Sequence, residues 1–395
     1  MNNSRYPSST PDIAQWRSVR VRVPATCANL GPGFDCLALA LDFANTFEVR
    51  DLTPACGHPS PRREGTVGQV QWRGTWPPPP APPPCAGEGS QTPAAKTPHP
   101  AAPLLAGAGG GGEVSLELSG AEADLAHLSP ERDNLFWQAF CALYTHLALP
   151  VPLCRVRIEV CLPPGCGLGS SATAVVGGLL AANTLLGEPL CRDDLLDLAV
   201  ACEPGHHADN VAAALLGGLV VTGARNCNER MIALSLPVPE ALQAVLFIPD
   251  QPMSTVHGRS LLPAQYPRQD VTFNLSRVAL LLGALQTGRF DLLATAMEDC
   301  VHQHYREQLF PALSPLIAAG VAAGAHGVCL SGGGSSVLAL VTEGAATVAA
   351  ALEDEARARG VGGHSRILAI AQAGANATLF ESPAEDGGEI EEVAQ

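Results

Sequence analysis

Pro163-Pro164-Gly165-Cys166-Gly167-Leu168-Gly169-Ser170-Ser171-Ala172-Thr173 joins an alternating segment, Val156-Arg157-Ile158-Glu159-Val160, to a stretch rich in Ala, Val and Leu that ends near Gly187. The alternation reads as a strand and the apolar stretch as a helix. Glycine at every second position removes each Cβ from one side of the connecting loop, so a ligand can approach the backbone closely. Ser170-Ser171-Ala172 then opens the helix, whose first N–H groups and positive dipole end face outward. A glycine-rich loop running into a helix N-terminus is an anion site, and the anion expected here is a phosphate. The alternative, a turn that only packs a helix on a sheet, does not call for Ser-Ser-Ala in register after Gly-x-Gly-x-Gly.

No Gly-Lys-Ser/Thr follows the loop, so it is not a Walker A motif. The chain has a single lysine, Lys96, and it stands in a proline-rich stretch. No P-loop, kinase-strand or Schiff-base lysine is available elsewhere. Nucleotide phosphates would have to be handled by backbone amides, arginines and a metal.

The chain has 395 residues with 47% apolar content, enough for a buried core and two domains. Its net charge of −15 argues against a nucleic-acid partner. The first 18 residues are polar and lack the apolar core of a secretion signal. The longest uncharged stretch, about 163–187, makes a poor membrane span because of its glycines, serines, Asn183 and Thr184. Together these features predict a cytoplasmic protein away from membranes. The 13 cysteines form no Cys-x-x-Cys pair. Those at Cys141, Cys161, Cys202 and Cys329 sit among apolar residues, which predicts buried thiols in a reducing compartment, with no disulfide framework and no zinc site. Cys27, Cys36 and Cys166 read as small space-fillers.

Strands are expected at Val19–Val23, 37–49 and Val114–Leu118. Composition breaks between about Pro54 and Gly112, which include Pro77-Pro78-Pro79-Pro80 and Gly109 to Gly112. That stretch buries too little apolar surface to offset its ordering entropy, so a disordered insertion is expected. Within it, 66–72 alternates as a short strand would. Helices are expected at 133–148, Arg192–Cys202 and from an Asp209 cap to Leu216, with a strand at Leu219–Thr222. Farther on the pattern predicts strands at 244–248, 327–331, 336–342 and 365–371. Helices are predicted near 274–287, 290–303, 312–324 and 345–358. The mixed order gives two α+β domains meeting near residue 225. Residues 1–18 form an N-terminal extension, 19–225 and 226–380 the two domains, and 381–395 an acidic disordered tail.

Two further segments sharpen the reading: Pro24-Ala25-Thr26-Cys27-Ala28-Asn29-Leu30-Gly31-Pro32-Gly33-Phe34-Asp35 and Leu330-Ser331-Gly332-Gly333-Gly334-Ser335-Ser336-Val337. With the central loop they resemble the three motifs of the GHMP small-molecule kinases. Within that family they are most similar to the homoserine kinases. Asp209-Asn210-Val211, Gly217-Gly218-Leu219 and His302-Gln303-His304-Tyr305-Arg306 add to the resemblance, which spans about 19–53 and 113–380.

The resemblance implies the two-domain α+β GHMP-kinase fold, with the active site in the interdomain cleft. It implies ATP as co-substrate, Mg²⁺, and phosphorylation of the side-chain hydroxyl of L-homoserine on the route to threonine. Nucleotide contacts fall on Pro163, Pro164, Gly165, Cys166, Gly167, Leu168, Gly169, Ser170, Ser171, Ala172 and Thr173. Ser171 and Glu203 match the metal-binding pair, which suits an ion that prefers hard oxygen ligands. Arg259 and Arg306 match the carboxylate-binding arginines, whose planar forks bind a carboxylate bidentately. Asp35 and Asn29 match the groups around the ammonium, and His207 a substrate-side histidine, with His206 as its competitor. Asn210 matches the residue near the attacking hydroxyl. An amide is no general base, so either Asp209 assists or no protein base exists. The resemblance leaves a homodimer open.

Bland readings stand beside these. Glu203 could be a solvated helix-end acid, the two arginines surface residues, Asn29 and Asp35 turn residues, and Asp209 a helix cap. The spacer between Glu203 and Asp209-Asn210 departs from the family pattern, as does the extra glycine without proline in the third motif. That motif is expected to bring N–H groups to the phosphates or to brace the first loop. Competing functions are a kinase for another small alcohol, such as mevalonate, and a non-catalytic sensor on the same fold.

Overall fold

Apolar alternation and apolar runs build two different sheets. The structure, a computed structural model, describes residues 16–52, 114–126, 128–129, 132–224 and 230–382. In chain order the first elements are β1 (Trp16–Asn29), β2 (Gly33–Asp51), β3 (Val114–Gly120), α1 (Glu122–Leu125), α2 (Leu135–His146), β4 (Cys154–Val160) and α3 (Ser170–Leu185). Next come α4 (Arg192–Cys202), α5 (Ala208–Leu216), β5 (Leu219–Ala224), β6 (Met231–Leu236), β7 (Gln243–Pro249), α6 (Thr255–Ser260) and α7 (Arg268–Thr287). The rest are α8 (Leu293–Ala296), α9 (Gln303–Arg306), α10 (Leu313–Ala322), β8 (Gly327–Leu330), β9 (Val337–Val341), α11 (Ala345–Ala358), β10 (Gly363–Ala369) and β11 (Asn376–Ser382).

The first sheet has seven strands. Five run in the order β11-β1-β2-β4-β3, while β5 pairs with β2 and β6 with β5. In β4, Val156, Ile158 and Val160 are buried, and Arg155, Arg157 and Glu159 between them are exposed. Helices α2 to α5 cover the buried face, and their apolar residues join those of β1, β2 and β4 in one core. Helix α3 is apolar on nearly every side and is buried accordingly. The second sheet, β10-β7-β9-β8, is antiparallel throughout. Its strands β8 and β9 are buried at every position, and α10 and α11 pack with them.

A third apolar cluster ties the sheets together. Ala25, Cys27, Leu37, Leu39 and Leu41 of the β1–β2 hairpin meet Leu246, Cys329, Leu338 and Leu340 of the second sheet. The hairpin therefore reaches from one layer to the other, and the cleft lies beside it.

Several expectations need correction. The changeover near residue 225 is too simple, because β6 completes the first sheet and β11 returns to it beside β1. Trp16–Ser18 begin β1 and are no extension, and Glu381 and Ser382 end β11 and are not tail. The helix expected at 290–303 breaks into a 3₁₀ turn at Phe290–Leu292, α8 and α9. Between α8 and α9 the Asp299 carboxylate accepts from the N–H groups of Val301, His302 and Gln303. It thus offers the backbone a local alternative to helix. The expected insertion at about 54–112, with its strand-like 66–72, and the tail beyond Ser382 lie outside the described residues. No described helix is long and apolar enough to cross a membrane. Cys27, Cys154, Cys166, Cys202 and Cys329 are buried free thiols, while Cys191 is exposed.

Candidate active site

The three motifs meet at one cavity of about 500 Å³. Its wall takes Asn29 and Asp35 from the β1–β2 turn, Pro164, Gly165, Gly167 to Ser171 from the loop before α3, and Glu203 from the end of α4. Helix α5 and the residue before it add His207, Asp209 and Asn210; Arg259, Arg306, Gly332 and Gly333 close the far side. Of the eleven loop residues expected at the nucleotide, Cys166, Ala172 and Thr173 are buried in packing instead, and Pro163 is not on the wall.

The loop glycines have a second cause besides the one the sequence suggests. Gly165, Gly167 and Gly169 have φ of 76°, 77° and 69°, which L side chains rarely adopt. A Cβ on Gly167 would lie 2.2 Å from the Ser331 carbonyl oxygen, and one on Gly169 1.9 Å from Thr26 Oγ1. The neighbouring protein by itself requires glycine here. The third motif braces this loop: Ser331 Oγ donates to Gly167 O at 2.6 Å and Ser336 N to Cys166 O at 3.0 Å. Ser335 is buried and donates to Gln251 O at 2.7 Å.

Where α3 begins, Ser171 Oγ donates to Glu203 Oε1 at 2.7 Å. Glu203 Oε2 is buried and has no partner. Burial pushes this carboxyl up to about 7, with the Ser171 bond opposing. A buried, unpartnered carboxylate oxygen beside a hydroxyl suits a hard cation. Among the described residues no three His, Cys, Asp or Glu side chains gather around one point. An ion held here would therefore keep water or phosphate oxygens, as Mg²⁺ does.

Asp209 is not a helix cap. The cap position of α5 is His207, and Asp209 lies in the first turn, buried, with its Oδ1 accepting from Asn210 N at 2.7 Å. Burial first, then nearby Asp35 and Glu203, raises its carboxyl to about 7 against the Asn210 bond and Arg259. Thr26 Oγ1 donates to Asn210 Oδ1 at 2.6 Å, so the amide NH₂ of Asn210 faces the other way. His206 is exposed and sits 3.1 Å from Val200 O, leaving His207 as the histidine on the cavity wall. Burial lowers the His207 pKa, partly opposed by Asp35, whose carboxylate lies 3.9 Å away.

Arg259 grips Asp35 with both forks, at 3.0 Å and 2.6 Å. Asn29 Oδ1 accepts from Asp35 N at 3.1 Å, and Asn29 Nδ2 donates to Gly332 O. Arg306 is buried, donates through Nη1 to Gly332 O at 2.9 Å, and keeps a buried Nε without a partner. Burial, then Arg259, lowers its pKa to about 10. Both guanidinium carbons stand over the Phe34 ring, at 5.0 Å and 5.5 Å from its centroid.

Comparisons with known proteins show the family. The GHMP kinases N terminal domain model matches residues 134–218 and the GHMP kinases C terminal model residues 281–358. The chain is 36% identical over 361 residues to homoserine kinase of Trichormus variabilis, covering 91% of this chain and 98% of that one. The chain belongs to the homoserine kinase family of GHMP kinases. A Synechocystis homoserine kinase is 35% identical over 362 residues, covering 91% of this chain and 98% of its own. The structure of homoserine kinase from Cytophaga hutchinsonii shares the fold, with TM-score 0.70 at 23% identity over 95% of this chain and 100% of that one. In this homoserine kinase family member the sequence reading missed Thr26 and Phe34, although both lie inside a quoted motif. Their side chains act on residues at 210, 259 and 306, distances that no local pattern encodes.

Proposed function

We propose that this homoserine kinase family member transfers the γ-phosphoryl group of ATP to the side-chain hydroxyl of L-homoserine, giving O-phospho-L-homoserine on the route to threonine. One observation supports the residue assignments most directly. A single cavity joins the N-terminus of α3 and the Ser171–Glu203 pair at one side to two guanidiniums and Asp35 at the other. The first set suits a triphosphate with its metal, the second an amino acid.

Phosphoryl transfer needs mainly positioning and charge neutralisation. The backbone N–H groups opening α3 face the phosphates. Ser171 and Glu203 hold Mg²⁺, which when bound neutralises charge on the phosphate oxygens. The free edge of Arg306 takes the substrate carboxylate, while Arg259 holds Asp35 and adds positive charge. Asp35, with Asn29, takes the ammonium, and His207 lines the substrate side. Asn210 Nδ2 meets the hydroxyl, and Asp209, near neutrality, accepts its proton.

ATP consumption measured with purified protein against homoserine, mevalonate, galactose and shikimate tests the substrate. Turnover with homoserine alone is expected. Preference for mevalonate would overturn the assignment, and nucleotide binding without turnover on any of the four would favour a sensor. Replacing Arg306 by Ala should lower kcat/KM for homoserine roughly 30- to several-thousand-fold. A homoserine analogue with an amide in place of the carboxylate should lose far less. Equal losses on both would mean that Arg306 does not meet the carboxylate.

A further inference from the structure

We infer that His302 sets which edge of Arg306 faces the cavity, and so is a positioning residue for the substrate carboxylate; this rests on the homoserine reading above. Arg306 Nη1 lies 3.0 Å from His302 Nδ1 and 2.9 Å from Gly332 O. A guanidinium only donates, so His302 Nδ1 must accept. The ring proton then sits on Nε2, which donates to Gly31 O at 2.7 Å. Gly31 O can only accept, so both bonds select the same neutral tautomer. The ring is completely buried, and burial keeps it neutral despite Asp299 Oδ2 at 3.8 Å. Protonation would place an N–H at Nδ1, pointing at Arg306, and break the contact.

With Nη1 bonded twice, the guanidinium has one edge left. Nε is buried and unpartnered, and Nη2 has no partner among the described residues. Nε and Nη2 are the side edge of the planar fork, matched to the two oxygens of one carboxylate. Gly258 leaves that edge uncrowded, since a Cβ there would stand 3.7 Å from Nε. Phe34 steadies the arrangement, with its ring stacked on His302 at 5.2 Å and beneath the Arg306 guanidinium at 5.5 Å. Arg259 differs, because Asp35 occupies both of its terminal nitrogens. Among the described residues His302 makes its hydrogen bonds, ion pair and ring contact with Asp299, Gly31, Arg306 and Phe34, away from the phosphate loop and the Ser171–Glu203 pair, so its effect should be confined to the amino acid.

The test is steady-state kinetics of His302→Leu and His302→Asn with homoserine, its amide and ATP. Leu keeps apolar bulk and removes the acceptor. KM for homoserine should rise about 10- to 100-fold, the scale of losing one buried hydrogen bond to a charged group. The kcat, the KM for ATP and the KM for the amide should stay within about threefold. Asn, whose Oδ1 can stand in for Nδ1, should restore most of the homoserine affinity. An unchanged KM in His302→Leu overturns the inference. So does an equal loss for acid, amide and ATP, the mark of a merely structural residue, or an Asn variant no better than Leu. Should Leu fail to fold, Gly258→Asp places a competing carboxylate against the Nε edge. It should raise KM for homoserine at least 10-fold with KM for ATP unchanged, and an unchanged homoserine KM overturns the inference. A parent protein inactive on homoserine would remove the substrate assignment and this inference with it. An active parent with unaffected His302→Leu removes only the inference.

Discussion

At the residue scale, two carboxyls with pKa near 7 give the site its pH dependence. Glu203 and Asp209 are both raised mainly by burial. In the empty protein each carries a proton below about pH 7, so kcat/KM should fall on the acid side with a limb near 7. Metal bound at Glu203 favours its ionised form, so the limb that remains in kcat at saturating Mg²⁺ and ATP should be that of Asp209. Ser171→Ala and Glu203→Ala should each cut kcat strongly in folded protein, with excess Mg²⁺ partly rescuing the serine variant. Near-normal turnover in Glu203→Ala would show that the metal sits elsewhere. Asp209→Asn should lower kcat about 100-fold or more if Asp209 takes the proton. Near-normal kcat there would mean that no protein base is needed.

The same carboxyl has an opposite effect on stability. A folded-state pKa raised above the unfolded value means that the native state binds more protons, so its stability falls as pH rises through that interval. For Glu203 the interval runs from about 4.5 to about 7. Glu203→Gln should therefore stabilise the metal-free protein at pH 8, by about 1–2 kcal/mol after discounting for its half-buried position. The gain should shrink steadily toward pH 5. Thermal melts at both pH values check this, and a gain that grows toward pH 5 would contradict the burial argument.

At the element scale, the decisive contacts are between loops far apart in sequence. Gly167 combines a φ of 77° with a closest approach of 2.2 Å from a built Cβ to Ser331 O. Gly167→Ala should cost about 2 kcal/mol or more and also weaken ATP binding. Gly187 has a similar φ of 79° but nothing within 4 Å, so Gly187→Ala isolates the conformational part. Equal destabilisation of the two in denaturant unfolding would remove the packing explanation. Thr26 joins β1 to the same loop through its N–H to Leu168 O at 3.1 Å and to α5 through Asn210. Thr26→Val should lower kcat about 10-fold by freeing the Asn210 amide, while Thr26→Ser should keep it.

At the scale of the whole molecule, the long segment between β2 and β3 joins points that are close together. Asp51 of β2 and Val114 of β3 both pair with Cys154 of β4, one on each side. Two strand spacings separate them, roughly 10 Å, a gap that a few residues can bridge. Loop-closure free energy changes slowly with length, about 0.6 kcal/mol per doubling. Replacing residues 56–110 by a short Gly-Ser linker should therefore leave homoserine kinase activity and melting temperature nearly unchanged. An insoluble or inactive deletion would show that the segment contributes to the folded enzyme.

Local pattern determined much of this protein without any coordinates. The alternation in β4, the apolar run of α3 and the limits of α4 and α11 follow from side-chain period and local propensity. The motif residues named from the sequence include Ser171, Glu203, Asp209, Asn210, Arg259 and Arg306, and the fold brings them to one cavity. Tertiary structure decided what each is attached to. Asp209 became a buried carboxyl rather than a cap because α5 starts two residues earlier, at Ala208, and turns it inward. Asn274 and Asp299 share a hydrogen bond that ties α7 to the segment after α8, where the expected helix ends. Arg259 closed on Asp35, and Arg306 on His302 and Gly332, through contacts spanning 224 and 26 residues in two of the three cases. The physical reason is the range of the forces. Hydrogen-bond period and side-chain entropy act over a few residues, whereas burial and ion pairing act between whatever surfaces the folded chain presses together.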